Sequence, residues 1–508
     1  MIGIAFALLA VLLHGATAWR YGYFRDELYF IAASKHLAWG YVDQPPLVAL
    51  SAWLAAPAEY QLIALRALPI FAAALTVYLA VRLAAELGGG RFAQLLAGAA
   101  TLLTPAYLLL GNTLTTSSFE PLLWTLAIYL LIRIVRARDA SAGGWWLALG
   151  ITTALALYGK YSMLLAIAAL VLGLLVTPER RVLRSRYPLY AAGLTLLLIG
   201  PNLMWQAAHG WPIFEVLRGD VAHRHAFQSG LALEYRNWIR NAIAFVLEQL
   251  LYTNPLAALI WIAGAIAPFR QANLRDLRFV SIAYVLVLLT AIALEAKGYY
   301  IVGFYAALLA IGAVAIERAA GYLRATIFAA LVVVAVVTLP LSLPVLPVDD
   351  LIAYTKILGL TGRAGTPAVL MQPLFAEEFG WNRLAGDVAR VYFALPPRTR
   401  ARTAIYADTY GDAGALDFYG PRYGLPPAIS SQNSYYLWGT RGYDGATLIA
   451  IGATRIDLLR KYYRSVQLVR TSSEPYKWIV EGPAPIFLLR DPIAPLWQIW
   501  PNLRWYGA

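Results

Sequence analysis

The chain has 508 residues, 60% of them hydrophobic and only 14% charged, with a mean hydropathy of +0.60. A soluble domain carries about a quarter charged residues, so this composition belongs to a membrane protein and excludes an ordinary soluble one. The net charge of +13 reads as Lys and Arg gathered at helix ends rather than as a nucleic-acid footprint, and the absence of cysteine excludes disulfides, thiol catalysis and Cys-ligated metals.

Apolar runs of spanning length are predicted near 1–19, 62–85, 92–111, 119–136, 145–159, 162–177, 188–205, 241–266, 279–295, 300–316 and 326–343. The first reads as a retained signal-anchor helix, because no basic segment precedes it. Arginines mark one set of short loops: Arg82 and Arg91, Arg133 and Arg136, Arg180 to Arg186, Arg270 to Arg278, Arg318 and Arg324. Those loops belong in the cytoplasm. About eleven spans then put the N-terminus inside, the C-terminus outside, and the loops 20–61, 112–118, 159–161, 206–240 and 296–299 outside. Pro340, Pro344 and Pro347 punctuate a linker. Residues 1–345 are thus expected as a membrane domain and 346–508 as an outer α/β domain. Within the latter, TAIYA (403–407), TLIAIGA (447–453) and IFLLR (486–490) read as buried strands, and 457–467 as helix. Trp497, Trp500, Trp505 and Tyr506 read as interfacial anchors.

The unusual ionisable residues fall in the outward loops. The first loop carries Asp26, Glu27 and Asp43, the last just before Gln44-Pro45-Pro46. Residues 26–39 can form a helix with Leu28, Ile31, Ala32 and Trp39 on one face, a spacing suited to lying on a membrane. Asp26 and Glu27 would sit in its first turn, where the helix dipole favours carboxylates. Asp26 is therefore either a catalytic carboxylate or a helix cap, and Asp43 could equally be a turn residue. Further out lie Lys160, His209, Arg224 and Lys297. Arg66 stands just inside the second span, where an ionisable group is costly; it is either functional or snorkelling to the interface. His209 with Asp43 could hold a divalent metal, or His209 could simply be hydrogen-bonded.

The pattern Asp26-Glu27, Tyr29-Phe30 and Asp43-Gln44-Pro45-Pro46-Leu47 resembles the first outer loop of the polytopic GT-C glycosyltransferases. It is closest to glycosyltransferase family 39, the protein O-mannosyltransferases, with the related bacterial lipid A aminoarabinose transferases. Gly159-Lys160-Tyr161, Lys297-Gly298-Tyr299-Tyr300, Asp412 to Gly420 and Asn433 to Gly439 resemble further stretches of that superfamily. Gln44 is a departure, since the aminoarabinose transferases carry Lys before the Pro-Pro pair. That difference weakens an inference to lipid A as the acceptor.

The resemblance implies a GT-C fold and an inverting transfer of sugar from a polyprenyl phosphate to an acceptor hydroxyl at the outer face of the membrane. It implies Asp26 as base, with Glu27 and Asp43 as supporting carboxylates. Lys160 and Lys297, then Arg66, Arg224 and Tyr300, would hold the donor phosphate; Tyr29, Gln44 and His209 would contact sugar or acceptor. The expected partners are the lipid-linked donor, membrane lipids and an acceptor the sequence does not name, with no nucleic acid. No cofactor is expected to be required, a divalent metal being the one candidate. A transporter or flippase for a lipid-linked or polar solute is the rival reading. It would place its ionisable groups near the bilayer midplane.

Overall fold

The computed structural model describes residues 1–137, 142–219, 238–360, 373–452, 455–476 and 483–507. By packing, the chain divides into two units. The first is Met1–Trp19, Arg66–Met204 and Ala232–Val345; the second is Arg20–Leu65, Trp205–Leu231 and Leu346–Ala508. The second unit therefore takes in the loop after the first helix together with the C-terminal third, an association that a linear boundary at 345–346 does not anticipate.

The first unit is helical. Ala67–Glu86, Tyr187–Ala208, Ala272–Ala293, Gly298–Ile316 and Gly321–Ser342 are each long and apolar enough to cross a membrane. Three bent pairs pass the same test together, which raises the number to eight among the described residues. The opening helix, Ile2–Gly15, is shorter than the run expected for 1–19. The run expected as one span at 241–266 is instead two helices, Arg240–Thr253 and Ala257–Arg270, bent by 110°. The cause is local. Pro255 offers no N–H to the helical ladder, and Asn254 adopts φ +72° with its side chain accepting from Leu256 N at 3.0 Å. Tyr187–Ala208 and Gly321–Ser342 keep most of their apolar surface outside the protein, as a lipid-facing helix does.

The second unit contains a four-stranded sheet in the order β1-β2-β4-β3, with β1 Thr403–Ala407, β2 Thr447–Ile451, β3 Tyr463–Ser472 and β4 Ala484–Pro492. β1 and β2 run parallel, whereas β4 is antiparallel to both β2 and β3. The three apolar runs expected as strands are strands. The helix expected over 457–467 is not there: Ile456–Leu459 makes one turn and the chain then enters β3. β3 is an edge strand with an exposed middle, so its sequence lacks the apolar signature of its neighbours.

The aromatic C-terminus is also different from expectation. Trp500 and Tyr506 are buried, and Leu496–Leu503 packs Leu496, Ile499, Trp500 and Leu503 into the core beside the sheet. Trp500 stacks on Tyr436 at 5.8 Å and donates to its carbonyl at 3.1 Å. Only Trp497 of the four is largely exposed.

Candidate active site

The stretch after the first helix folds as Arg25–Ser34. This helix ends five residues before Trp39, and residues 27–34 are all buried. It is therefore a packed helix of the second unit and not one lying with a single face in the membrane. Its main partner is Tyr410–Tyr419. Gly411 and Gly414 allow the contact: a Cβ at Gly414 would lie 2.8 Å from the Leu28 carbonyl carbon, and one at Gly411 would lie 2.4 Å from Arg25 Cγ.

Glu27 is fully buried and accepts the Phe24 N–H at 2.9 Å. It caps the helix from a buried position, not the exposed one expected of a supporting catalytic acid. Because Glu27 serves the cap, Asp26 is left to another task. Asp26 is partly exposed, and its Oδ1 accepts from Tyr410 Oη at 2.9 Å and from Arg25 Nε at 3.3 Å. Arg25 in turn reaches Glu377 at 3.6 Å and lies over the Tyr410 ring, 5.4 Å from its centroid.

Asp43 is held in a parallel way. Tyr29 Oη donates to Asp43 Oδ1 at 2.8 Å and accepts from Ser434 N at 3.2 Å. The rings of Tyr29 and Tyr410 pack against each other, 4.7 Å apart. Two carboxylates are thus each fixed by a tyrosine hydroxyl, and the tyrosines fix one another. Burial holds both hydroxyls well above their ordinary pKa, with Asp43 adding to the effect at Tyr29. Both remain hydrogen-bond donors across the physiological range. Tyr29 accordingly positions Asp43 from a site buried at 1% exposure.

The network continues outward. Tyr435 lies 6.1 Å from Tyr29 and donates to Asp417, which also accepts from Arg441 and from Ala428 N. Burial pushes the Asp417 carboxyl up, against the opposing charge of Arg441. His36 stacks on Trp438 at 4.4 Å, and burial together with Arg441 lowers its pKa. Gln44 is buried. Its backbone carbonyl accepts from Tyr41 N, and its Nε2 has no partner among the described residues. His209 is exposed, stacked on Trp205 at 4.1 Å and bonded to the Trp205 carbonyl. Among the described residues no group of three or more His, Asp or Glu is placed to hold a metal.

Of the residues expected to hold a phosphate, Lys160, Lys297, Arg66 and Tyr300 lie in the first unit. Lys160 follows the helix Ala142–Gly159; its Nζ donates to Ser117 Oγ at 2.7 Å and pairs with Glu120 at 3.3 Å. It also lies 4.0 Å from the centroid of the Tyr300 ring and 5.2 Å from that of Tyr299. Glu120 accepts as well from Ser162. Lys160 and Tyr300 are thus together, whereas Lys297 is exposed at the start of Gly298–Phe304. Arg66 is fully buried and donates to the Ala18 carbonyl at 3.0 Å. That burial is the opposite of snorkelling to the interface. Arg224 lies outside the described residues.

Four residues of these clusters escape sequence reasoning. Arg25 and Tyr410 fix Asp26; Ser117 and Glu120 fix Lys160. The spacing Gly411-x-x-Gly414 is the signal for a close helix approach beside Tyr410. Glu120 looks like an acid favoured at a helix start, and nothing in its local sequence points to Lys160.

An integral membrane protein with an α/β unit that shares its packing with the first loop defines a class, and the comparisons agree with it. A family model described as dolichyl-phosphate-mannose-protein mannosyltransferase matches residues 43–205. Among solved structures, ArnT from Cupriavidus metallidurans bound to undecaprenyl phosphate is 15% identical, with a TM-score of 0.61 over 96% of this chain and 97% of that one. The apo form of the same protein gives a TM-score of 0.62 at 14% identity over the same shares of both chains. The oligosaccharyltransferase AglB from Archaeoglobus fulgidus, in complex with an inhibitory peptide and a dolichol-phosphate, is 13% identical. It gives a TM-score of 0.46 over 84% of this chain and 64% of that one, too weak a likeness to support an argument. No curated protein matches by sequence. The chain has the GT-C fold, and the resemblance read from its first loop, to the mannosyltransferase and ArnT-like members of that superfamily, stands.

Proposed function

We propose that this protein is an inverting glycosyltransferase that moves a sugar from a polyprenyl-phosphate donor to an acceptor hydroxyl at the outer face of the cytoplasmic membrane. The observation that carries the reading is Asp26: a partly exposed carboxylate oriented by a buried tyrosine hydroxyl and relieved of the capping duty by Glu27. In the reaction the acceptor O–H gives its proton to Asp26, and the acceptor oxygen forms a bond to the anomeric carbon. The bond from that carbon to the phosphate oxygen breaks, and the lipid phosphate leaves with the electron pair. A positioned base contributes about 10²–10⁴-fold in rate. Asp43 orients the acceptor, while Lys160 and Lys297 hold the phosphate as its charge grows.

In this reading residues 1–345 form the membrane domain, residues 346–508 the outer domain, and no cofactor is required. Two likenesses support the donor class: the family matched over residues 43–205 is named for dolichyl-phosphate-mannose, and the similar ArnT structure holds undecaprenyl phosphate. The test is to incubate membranes containing the protein with a panel of polyprenyl-phosphate sugars, with and without chelator. One donor should be consumed by the wild type and spared by Asp26→Asn, and chelator should not stop the reaction. Consumption of no donor, or equal consumption by the variant, would reject the reading.

A further inference from the structure

The second unit carries a feature that the transferase reading does not use. Residues 346–508 hold 17 Lys and Arg against 13 Asp and Glu. Basic residues that set topology belong to the cytoplasmic loops, so an excess on a segment assigned to the outer face calls for another cause. Part of it is gathered around a cleft of about 560 Å³.

The cleft runs along the helix Trp381–Phe393. One face of this helix is buried through Trp381, Leu384, Ala385 and Val388, whereas Arg383, Arg390 and Phe393 project from the other. Gly386 stands between them as the floor. A Cβ there would be 3.5 Å from the Tyr423 ring and hydroxyl, so any larger side chain would fill the space. Gly in a helix interior is destabilising relative to Ala, and an open floor is a reason to keep it. Phe393, 48% exposed, and Tyr423, 37% exposed, supply two aromatic walls. Tyr423 is fixed by a hydrogen bond to Asn382 at 3.1 Å.

Beneath the cleft sits Asp387, buried at 4% exposure. It accepts from Arg390 Nη1 at 2.9 Å and from Arg470 Nε at 2.8 Å. A guanidinium has five N–H donors in a planar fork; Asp387 takes one from each arginine and leaves the rest for an outside acceptor. Arg383 pairs only loosely with Glu474, at 3.9 Å, and is 57% exposed. Guanidinium forks recognise carboxylate and phosphate bidentately, and exposed aromatic rings offer apolar faces to the C–H side of a sugar ring.

We infer that this cleft is a binding site for an anionic saccharide, a sugar bearing a carboxylate or phosphate. Phe393 and Tyr423 cover the ring, and Arg383 and Arg390 take the anion. The cleft is lined by neither Asp26 nor Asp43, so it would hold an anionic glycan whatever the reaction.

The experiment uses the full chain in detergent or nanodiscs and reads binding by calorimetry with three probes: a tetragalacturonate, a neutral cellotetraose and inorganic phosphate. The uronate should bind at least tenfold more tightly than either of the others. Arg383→Ala with Arg390→Ala should weaken it tenfold or more. Removing Arg390 also takes a partner from buried Asp387, so Gly386→Leu is the second variant; it fills the floor, leaves the Asp387 pairs in place, and should abolish uronate binding without lowering the melting temperature. Asp26→Asn should bind as wild type does, which separates this inference from the transferase reading. Equal binding of the neutral sugar, equal binding of phosphate alone, or uronate binding that survives Gly386→Leu would each overturn it.

Discussion

Tyr410 Oη lies 2.9 Å from Asp26 Oδ1, although 384 positions separate the two residues. A segment of the C-terminal third thus orients the first acid of the first loop. The hydroxyl is buried and stays protonated, so the bond is charge-assisted in one direction only, from phenol to carboxylate.

Asp26→Asn is expected to lower turnover by about 10²–10⁴-fold, the usual contribution of a general base. Folding should survive, because the Phe24 N–H is capped by Glu27 and not by Asp26. Asn can still accept from Tyr410. Asp457→Asn, at a side chain that is 86% exposed, is the matched control and should leave turnover unchanged. Equal donor consumption by both variants in purified form would return Asp26 to a structural role.

Tyr410→Phe separates orientation from chemistry. It keeps the ring that packs on Tyr29 and lies under Arg25, and removes only the hydroxyl. A fall of roughly tenfold in kcat is expected, equivalent to about 1.4 kcal/mol, with KM for the donor nearly unchanged. An unaltered kcat, or a fall in melting temperature that accounts for the lost activity, would show that Tyr410 only packs.

The elements legible in the sequence are those with a local signature. TAIYA, TLIAI and the run around IFLLR are buried strands and were readable as such. β3 was not, because an edge strand with an exposed middle carries Gln467 opposite Leu488 and Arg470 opposite Ile486. The bend at Asn254-Pro255 was written in two residues but hidden inside a continuous apolar run. At the candidate site, Asp26 and Asp43 stood out through the Asp-Glu and Pro-Pro pattern. Their tyrosine partners illustrate what a single sequence withholds. Tyr29 lies in the same loop as Asp43, yet its hydroxyl contact depends on a fold-back of 14 residues. Tyr410 reaches Asp26 only through tertiary packing. The capping role of Glu27 was hidden because the sequence shows two adjacent acids and not which of them turns back to Phe24.

Topology can be tested directly, since the chain has no cysteine and any introduced thiol is unique. Arg184 is exposed in the arginine-rich turn Pro178–Arg184, and Asp457 is exposed in the second unit. The excess of arginine predicts a cytoplasmic position for the first, so Arg184→Cys and Asp457→Cys should be labelled by an impermeant maleimide from opposite sides of sealed vesicles. Labelling of both from one side would reject the orientation and, with it, an outer active site.

The Lys160 cluster provides the sharpest separation of binding from stability. Lys160 and Glu120 are a mostly buried pair, with side chains 17% and 6% exposed. Removing one partner of such a pair leaves an uncompensated charge, at a cost of about 3–5 kcal/mol when burial is complete. Lys160→Ala is therefore expected to lower the melting temperature whatever Lys160 does for a donor, and lost activity in that variant alone decides nothing. Glu120→Gln in the same chain removes the stranded charge and keeps a group that can bond Ser162. The double variant should recover most of the melting temperature. If Lys160 holds the donor phosphate, donor binding should remain weakened in the double variant by roughly tenfold or more, the loss of one charge-assisted bond worth about 1.5–3 kcal/mol. If binding returns with stability, Lys160 serves only to neutralise Glu120. The phosphate would then fall to the exposed Lys297, and Lys297→Ala should show the loss that Lys160 did not.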